Sequence, residues 1–169
     1  MKSSRQVIRS ASFSRCGTYR YVLTRRWNPG RAMGVIGLNP STADGTHDDP
    51  TIRRCIGIAR GLGFGSLVMT NVFAYRSTDP RHLRGAKDPV GPGNRKALLR
   101  ESARCDVLVA AWGNHCPIDR ARTVCHLLQR DLYCFATNQG GQPAHPLYLP
   151  SPVQLKLYCR GDGTCLARQ

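Results

Sequence analysis

In residues 33–41, MGVIGLNPS, a short and nearly continuous apolar run meets Asn39-Pro40-Ser41. A run this short and this apolar suits a strand buried on both faces, as in a parallel sheet covered by helices. Pro40 ends it, because proline has no amide to donate to a sheet and restricts the residue before it. Asn39 is therefore placed just beyond the carboxyl end of a core strand, which is where open α/β sheets build their sites.

The pattern repeats outward from this stretch. Residues 19–27 (YRYVLTRRW) read as an edge strand closed by Asn28-Pro29-Gly30. Downstream, a polar loop runs to Asp49, Pro50 opens a helix, and Ile52, Cys55, Ile56 and Ala59 recur at helical spacing until Gly61 and Gly63 stop it. Residues 66–73 (SLVMTNVF), 106–112 (DVLVAAW) and 132–137 (LYCFAT) read as further core strands, with helices over 94–104 and 118–130. Strands alternating with helices at this pitch predict a three-layer α/β/α sandwich with a mostly parallel central sheet. Residues 1–15 are read as a basic, potentially flexible segment, and 16–169 as a single α/β domain.

Composition narrows the partners. The chain has 169 residues and a formal net charge of +15. Its cations are 21 Arg and 4 Lys, set against 9 Asp and the single Glu101, which excludes an acidic scaffold or a carboxylate-rich metal cage. Met1 to Ala43 holds eight basic residues and no acid, a footprint for phosphate and hence for DNA or RNA. An Arg- and Ser-rich, acid-free start also reads as a transit peptide, although the next segment already resembles a strand of the domain. No stretch is long enough to span a membrane, so a soluble, cytoplasmic, monomeric protein is expected. The eight cysteines lack tight spacing and are expected as reduced thiols; C-x-x-C and H-E-x-x-H are absent, and neither a metal nor a cofactor is expected. Cys159 and Cys165 flank a glycine-rich turn and could join Cys16 or a histidine on a metal.

Four polar positions follow apolar runs: Asn39, Asn71, Trp112-Gly113-Asn114 and His145. Taken singly, asparagine is an ordinary turn residue and histidine an ordinary structural donor. Asn71 differs, since an amide inside an apolar strand costs about 1–3 kcal/mol unless its groups find partners.

Gly37-Leu38-Asn39-Pro40-Ser41 resembles the first motif of the uracil-DNA glycosylase superfamily, and the resemblance continues in order. Val68 to Val72 (VMTNV) with Arg76 and Pro80 is similar to that superfamily's base-reading strand, residues 105–113 (CDVLVAAWG) to a later strand, and His145-Pro146 to the opening of its last motif. GLNPSTADGTHDDPTIRRC, NVFAYRSTDP, AAWG and HPLYLP also resemble a family of uncharacterised bacterial and phage domains across residues 16–152. The superfamily's small polar residue after His-Pro is replaced here by Leu147-Tyr148, and its stacking aromatic has only Phe73, Tyr75 and Trp112 as candidates.

The resemblance implies a glycosylase-like hydrolase acting on a flipped base. Asn39 would position water, Asp44 would supply a carboxylate, and His145 would hydrogen-bond the base as negative charge grows on it. Asn71, Phe73 and Trp112 would hold the base, and Ser41, Arg53, Arg76 and Arg81 the phosphates. Helix capping competes for the acids of residues 44–49. Two other readings keep the fold: a non-catalytic nucleic-acid or nucleotide-binding module, and a small-molecule or nucleotide hydrolase. Missing G-x-S-x-G, P-loop and G-x-G-x-x-G patterns weaken the serine-hydrolase, P-loop and dinucleotide options.

Overall fold

A computed structural model describes residues 6–166. In chain order the elements are β1 (Ile8–Phe13), β2 (Arg20–Arg26), β3 (Ala32–Gly37), α1 (Pro50–Gly61), β4 (Ser66–Asn71), α2 (Asn94–Arg104), β5 (Val107–Ala110), α3 (Ile118–Leu128), β6 (Leu132–Cys134) and β7 (Lys156–Cys159). Short 3-10 turns occupy Pro80–Arg84 and Pro146–Tyr148. Seven strands make one mixed sheet, ordered β1-β2-β4-β3-β5-β6-β7.

The expected mostly parallel sheet is corrected to one that is parallel only at its centre. β3 runs parallel to β4 and β5, and β5 to β6, whereas β1–β2, β2–β4 and β6–β7 are antiparallel. The parallel pairs are those whose connections pass through α1, α2 and α3, as a crossover requires. β1 and β2 are joined by a tight reversal at Gly17, whose φ of +74° suits glycine, and a tight reversal leaves only antiparallel pairing. β2 is thus not an edge strand, because β1, formed from the expected flexible segment, covers it. The first five residues of that segment lie outside the described residues.

Alternate residues of the central strands feed two apolar clusters. Met33, Val35, Leu67, Met69 and Val109 pack with Ile52, Cys55 and Ile58 of α1. Ile36, Val68, Leu108 and Ala110 pack with Leu98 of α2 and with Val124 and Leu128 of α3. Asp49 caps α1 by accepting the Ile52 amide at 2.9 Å, Pro50 fills its first turn, and Ile52, Cys55, Ile58 and Ala59 are its buried face. Among the described residues no helix is long and apolar enough to cross a membrane.

The chain leaves β3 toward β4 on one side and later returns to β5 on the other. The carboxyl ends of β3, β4 and β5 therefore border a point where strand order reverses, and the loops leaving them diverge and open a crevice.

Candidate functional site

That crevice is a cavity of about 370 Å³. Asn39, Asn71, Trp112 and His145 all line it, together with Ser41, Arg20, Asp49, His115 and Tyr148. The separate apolar strands thus deliver their terminal polar residues to one place. Backbone bonds set the rim: Val72 N–H donates to Gly37 O and Phe73 N–H to Leu38 O, both at 2.9 Å, tying the exit of β4 to that of β3.

Asn71 is 3% exposed, and no hydrogen bond to its side-chain amide is present among the described residues. Its backbone is held instead, since Asn94 Nδ2 donates to Asn71 O at 3.0 Å and to Val72 O at 3.2 Å, and Arg120 donates twice to Val72 O. Gly37 makes room for the amide: a Cβ at that position would lie 2.8 Å from Asn71 Nδ2. Among the described residues the one fully buried polar side-chain atom without a partner is Asn94 Oδ1; the Asn71 amide instead opens onto the cavity, with a donor and an acceptor free for a ligand.

Asn39 uses its amino group on Ser77 O at 2.8 Å and Pro40 O at 3.1 Å. Only its Oδ1 remains, as an acceptor for water or a ligand N–H. In the His145 ring, Nδ1 accepts the Leu147 amide at 3.4 Å, which puts the proton of the neutral ring on Nε2. Burial holds this imidazole below its ordinary pKa, with the Asp49 carboxylate opposing the shift. Arg54 of α1 braces the segment after His145 by donating to Leu149 O at 2.8 Å and Ser151 Oγ at 3.2 Å.

Other expected residues lie outside the cavity or are already engaged. Asp44 does not line the cavity; its carboxylate accepts the His47 and Thr46 amides and is held well below the usual carboxylate range by these bonds. Asp49, from the same acidic loop, lines the cavity instead. Phe73 faces a neighbouring groove of about 920 Å³ with Arg120 over its ring, and the Trp112 indole is committed to Gln142 Oε1 at 2.8 Å and edge-on to Tyr158. Arg53 donates to Asp48 O. Arg81 is forked onto Asp79 on the wall of the same groove, which shares Pro80 and His115 with the cavity. Arg76 lies in a separate depression that shares Ser41, Ser77 and Thr78 with the cavity.

The largest omission from the sequence reading is Arg20. It is 3% exposed, its side chain makes one hydrogen bond, 2.7 Å to Ala43 O, and it has no carboxylate within 4 Å among the described residues. Burial lowers its pKa to about 10, opposed by Asp49, so it stays cationic at neutral pH. No local pattern singles it out: Arg20 shares strand parity with Val22, Thr24 and Arg26, whereas Tyr19, Tyr21, Leu23 and Trp27 make the more apolar parity of that run. Asp49 was likewise one of three acids in the loop before α1, with nothing local to choose it over Asp44 or Asp48.

No curated protein and no solved structure matches the chain. Residues 20–147, a span that begins at Arg20 and closes just past His145, match the family described as protein of unknown function (DUF1643). The chain belongs to that family, and the matched span holds Arg20, Asn39, Asp49, Asn71, Trp112 and His145 of the cavity.

Proposed function

We propose that the cavity receives a nucleobase turned out of a nucleic acid and hydrolyses its N-glycosidic bond. The observation that carries this reading is Asn71, buried and unpartnered in a cavity that Asn39 and His145 also line. A base edge offers the neighbouring donor and acceptor that such an amide requires.

In the proposed step a water oxygen bonds to the anomeric carbon, the carbon–nitrogen bond breaks, and its electron pair leaves on the base. Asn39 Oδ1 orients the water, and Asp49, in the place expected for Asp44, takes its proton. His145 Nε2–H and the Arg20 guanidinium face the charge gathering on the base, which finally takes a proton from solvent. Preorganised donors of this kind are worth roughly a hundredfold or more each.

The surroundings support a nucleic-acid strand. Arg76 lines one depression that adjoins the cavity, and Arg81, Arg84 and Arg120 line an adjoining groove. Tyr148, 84% exposed at the cavity lip and 5.5 Å from the His145 ring, offers a stacking face. The two apolar clusters, one with α1 and one with α2 and α3, support the three-layer α/β/α reading of the uracil-DNA glycosylase kind. A monomer acting in the cytoplasm on DNA, or on RNA, completes the proposal.

The test is base release from oligonucleotides carrying uracil, hypoxanthine or mismatched thymine, with protein in excess. Release by the wild type that Asn39→Ala abolishes, with binding retained, is expected. Binding without release from any of them would replace the enzyme with the non-catalytic module. Release that survives Asn39→Ala would remove Asn39 from its role.

A further inference from the structure

At the far end of the chain three thiols meet. Cys125 lies on the buried face of α3, Cys159 closes β7, and Cys165 follows a turn that folds back on β7. Their sulfurs all lie within 4.8 Å of one another; Cys165 Sγ is 3.2 Å from Cys159 Sγ and 3.9 Å from Cys125 Sγ. This is the one group of three potential metal ligands among the described residues. Cys55, Cys105, Cys116 and Cys134 lie outside it, and Cys16, the partner considered from the sequence, sits in the β1–β2 reversal.

From this trio we infer a zinc-type metal site, with the Cys125, Cys159 and Cys165 thiolates as ligands and a solvent molecule in the fourth position. A tetrahedral ion with zinc–sulfur bonds of about 2.3 Å places its sulfurs about 3.8 Å apart, a value the two measured separations bracket. Thiolates select soft, tetrahedral ions over magnesium or calcium. Cys125 and Cys159 are buried while Cys165 is exposed, so the cluster is open on one side, as a fourth, exchangeable ligand requires.

The supporting turn is built from within. Arg160 N–H bonds Thr164 O, Gly163 N–H bonds Arg160 O, and Thr164 N–H bonds Asp162 Oδ1, all within 2.9 Å. Gly161 N–H reaches Asp131 Oδ1 at 2.8 Å, fixing the turn against the connection from α3 to β6. Cys165 is thereby presented to Cys159 by backbone geometry rather than by chance of a side-chain rotamer. The ion would staple a tail that lies beyond residue 147 to α3, which lies within the family match.

The experiment uses the full chain, purified with reductant and stripped by a chelator, and titrates it with cobalt(II) and then zinc(II). One equivalent of cobalt is expected, with the intense sulfur-to-cobalt charge-transfer band and the visible bands of a tetrahedral centre, bleached as zinc displaces it. Saturating zinc should raise Tm, because the assembled trio binds it more tightly than the same thiols in the unfolded chain. Cys165→Ser changes an exposed residue and should keep the far-ultraviolet circular dichroism of the wild type while lowering zinc affinity by about a hundredfold. Cys16→Ser should change neither. Failure of the reduced wild type to bind either ion, or full-affinity binding by Cys165→Ser, would overturn the inference.

Discussion

The two ends of β2 each bury an arginine, and they treat it in opposite ways. At one end Arg25, wholly buried, gives Nε to Asp48 Oδ1 at 2.6 Å and spends its other nitrogens on four carbonyls, those of Ser10, Thr24, Asp44 and His47. At the other end Arg20 has the single Ala43 carbonyl and borders the cavity. A satisfied buried cation is a clamp, here holding the acidic loop 44–48 against the sheet. A buried cation with little to bind raises the free energy of the empty protein, and an electron-rich ligand recovers it.

The largest expected effect falls at the clamp. Arg25→Met leaves Asp48 and the loop carbonyls without their donor and should destabilise the fold by about 3–5 kcal/mol in chemical denaturation. Equal stability of the variant would break the contrast at once.

Arg20→Met is the opposite case. The change removes a desolvated charge with one partner, so Tm should hold or rise, while base release falls by about a hundredfold. A large loss of stability with unchanged release would make Arg20 a second clamp.

A smaller effect is expected at Gly37. Gly37→Ala places a methyl against Asn71 Nδ2, and the amide must turn away. Discrimination among bases should relax by about tenfold, roughly one hydrogen bond's worth, with little change in Tm. Unchanged discrimination would show that Asn71 does not read the base.

The smallest effect concerns pH. Burial places the His145 pKa in the folded chain below its ordinary value near 6.5. The unfolded chain therefore takes up this proton first as pH falls, and stability contributed by the neutral ring is lost from about pH 6.5 downward. His145→Gln should flatten the Tm profile across that window. An unaltered slope would mean that the ring is not desolvated.

How legible was this from sequence? Residues 33–41 and 66–73 were informative because apolar runs and proline act locally, and the helix expected over 94–104 is α2 as found. β1 was missed because its residues are mostly exposed or half-exposed and carry Arg9, Ser10 and Ser12, leaving no apolar stripe to detect. β7 was missed for a similar reason, as a four-residue edge strand that begins at the exposed Lys156. Asn71 stood out because an amide in an apolar strand is anomalous whatever its neighbours. Asp49 and Arg20 did not, because choosing one acid of a cluster, or one arginine of a basic segment, depends on long-range partners that no local pattern encodes. The third thiol has the same origin: Cys125 and Cys165 are 40 residues apart and meet only after α3 and the tail pack.

The central claim is that a base occupies the cavity against Asn71. Its most direct test is the structure of the protein with an oligonucleotide whose target nucleotide carries a 2′-fluoro sugar, which slows glycosidic cleavage. The account predicts the base turned out of its strand, its edge within hydrogen-bonding distance of the Asn71 amide and its anomeric carbon facing Asn39 Oδ1. A strand lying along the Arg84 and Arg120 groove with every base outside the cavity would contradict it.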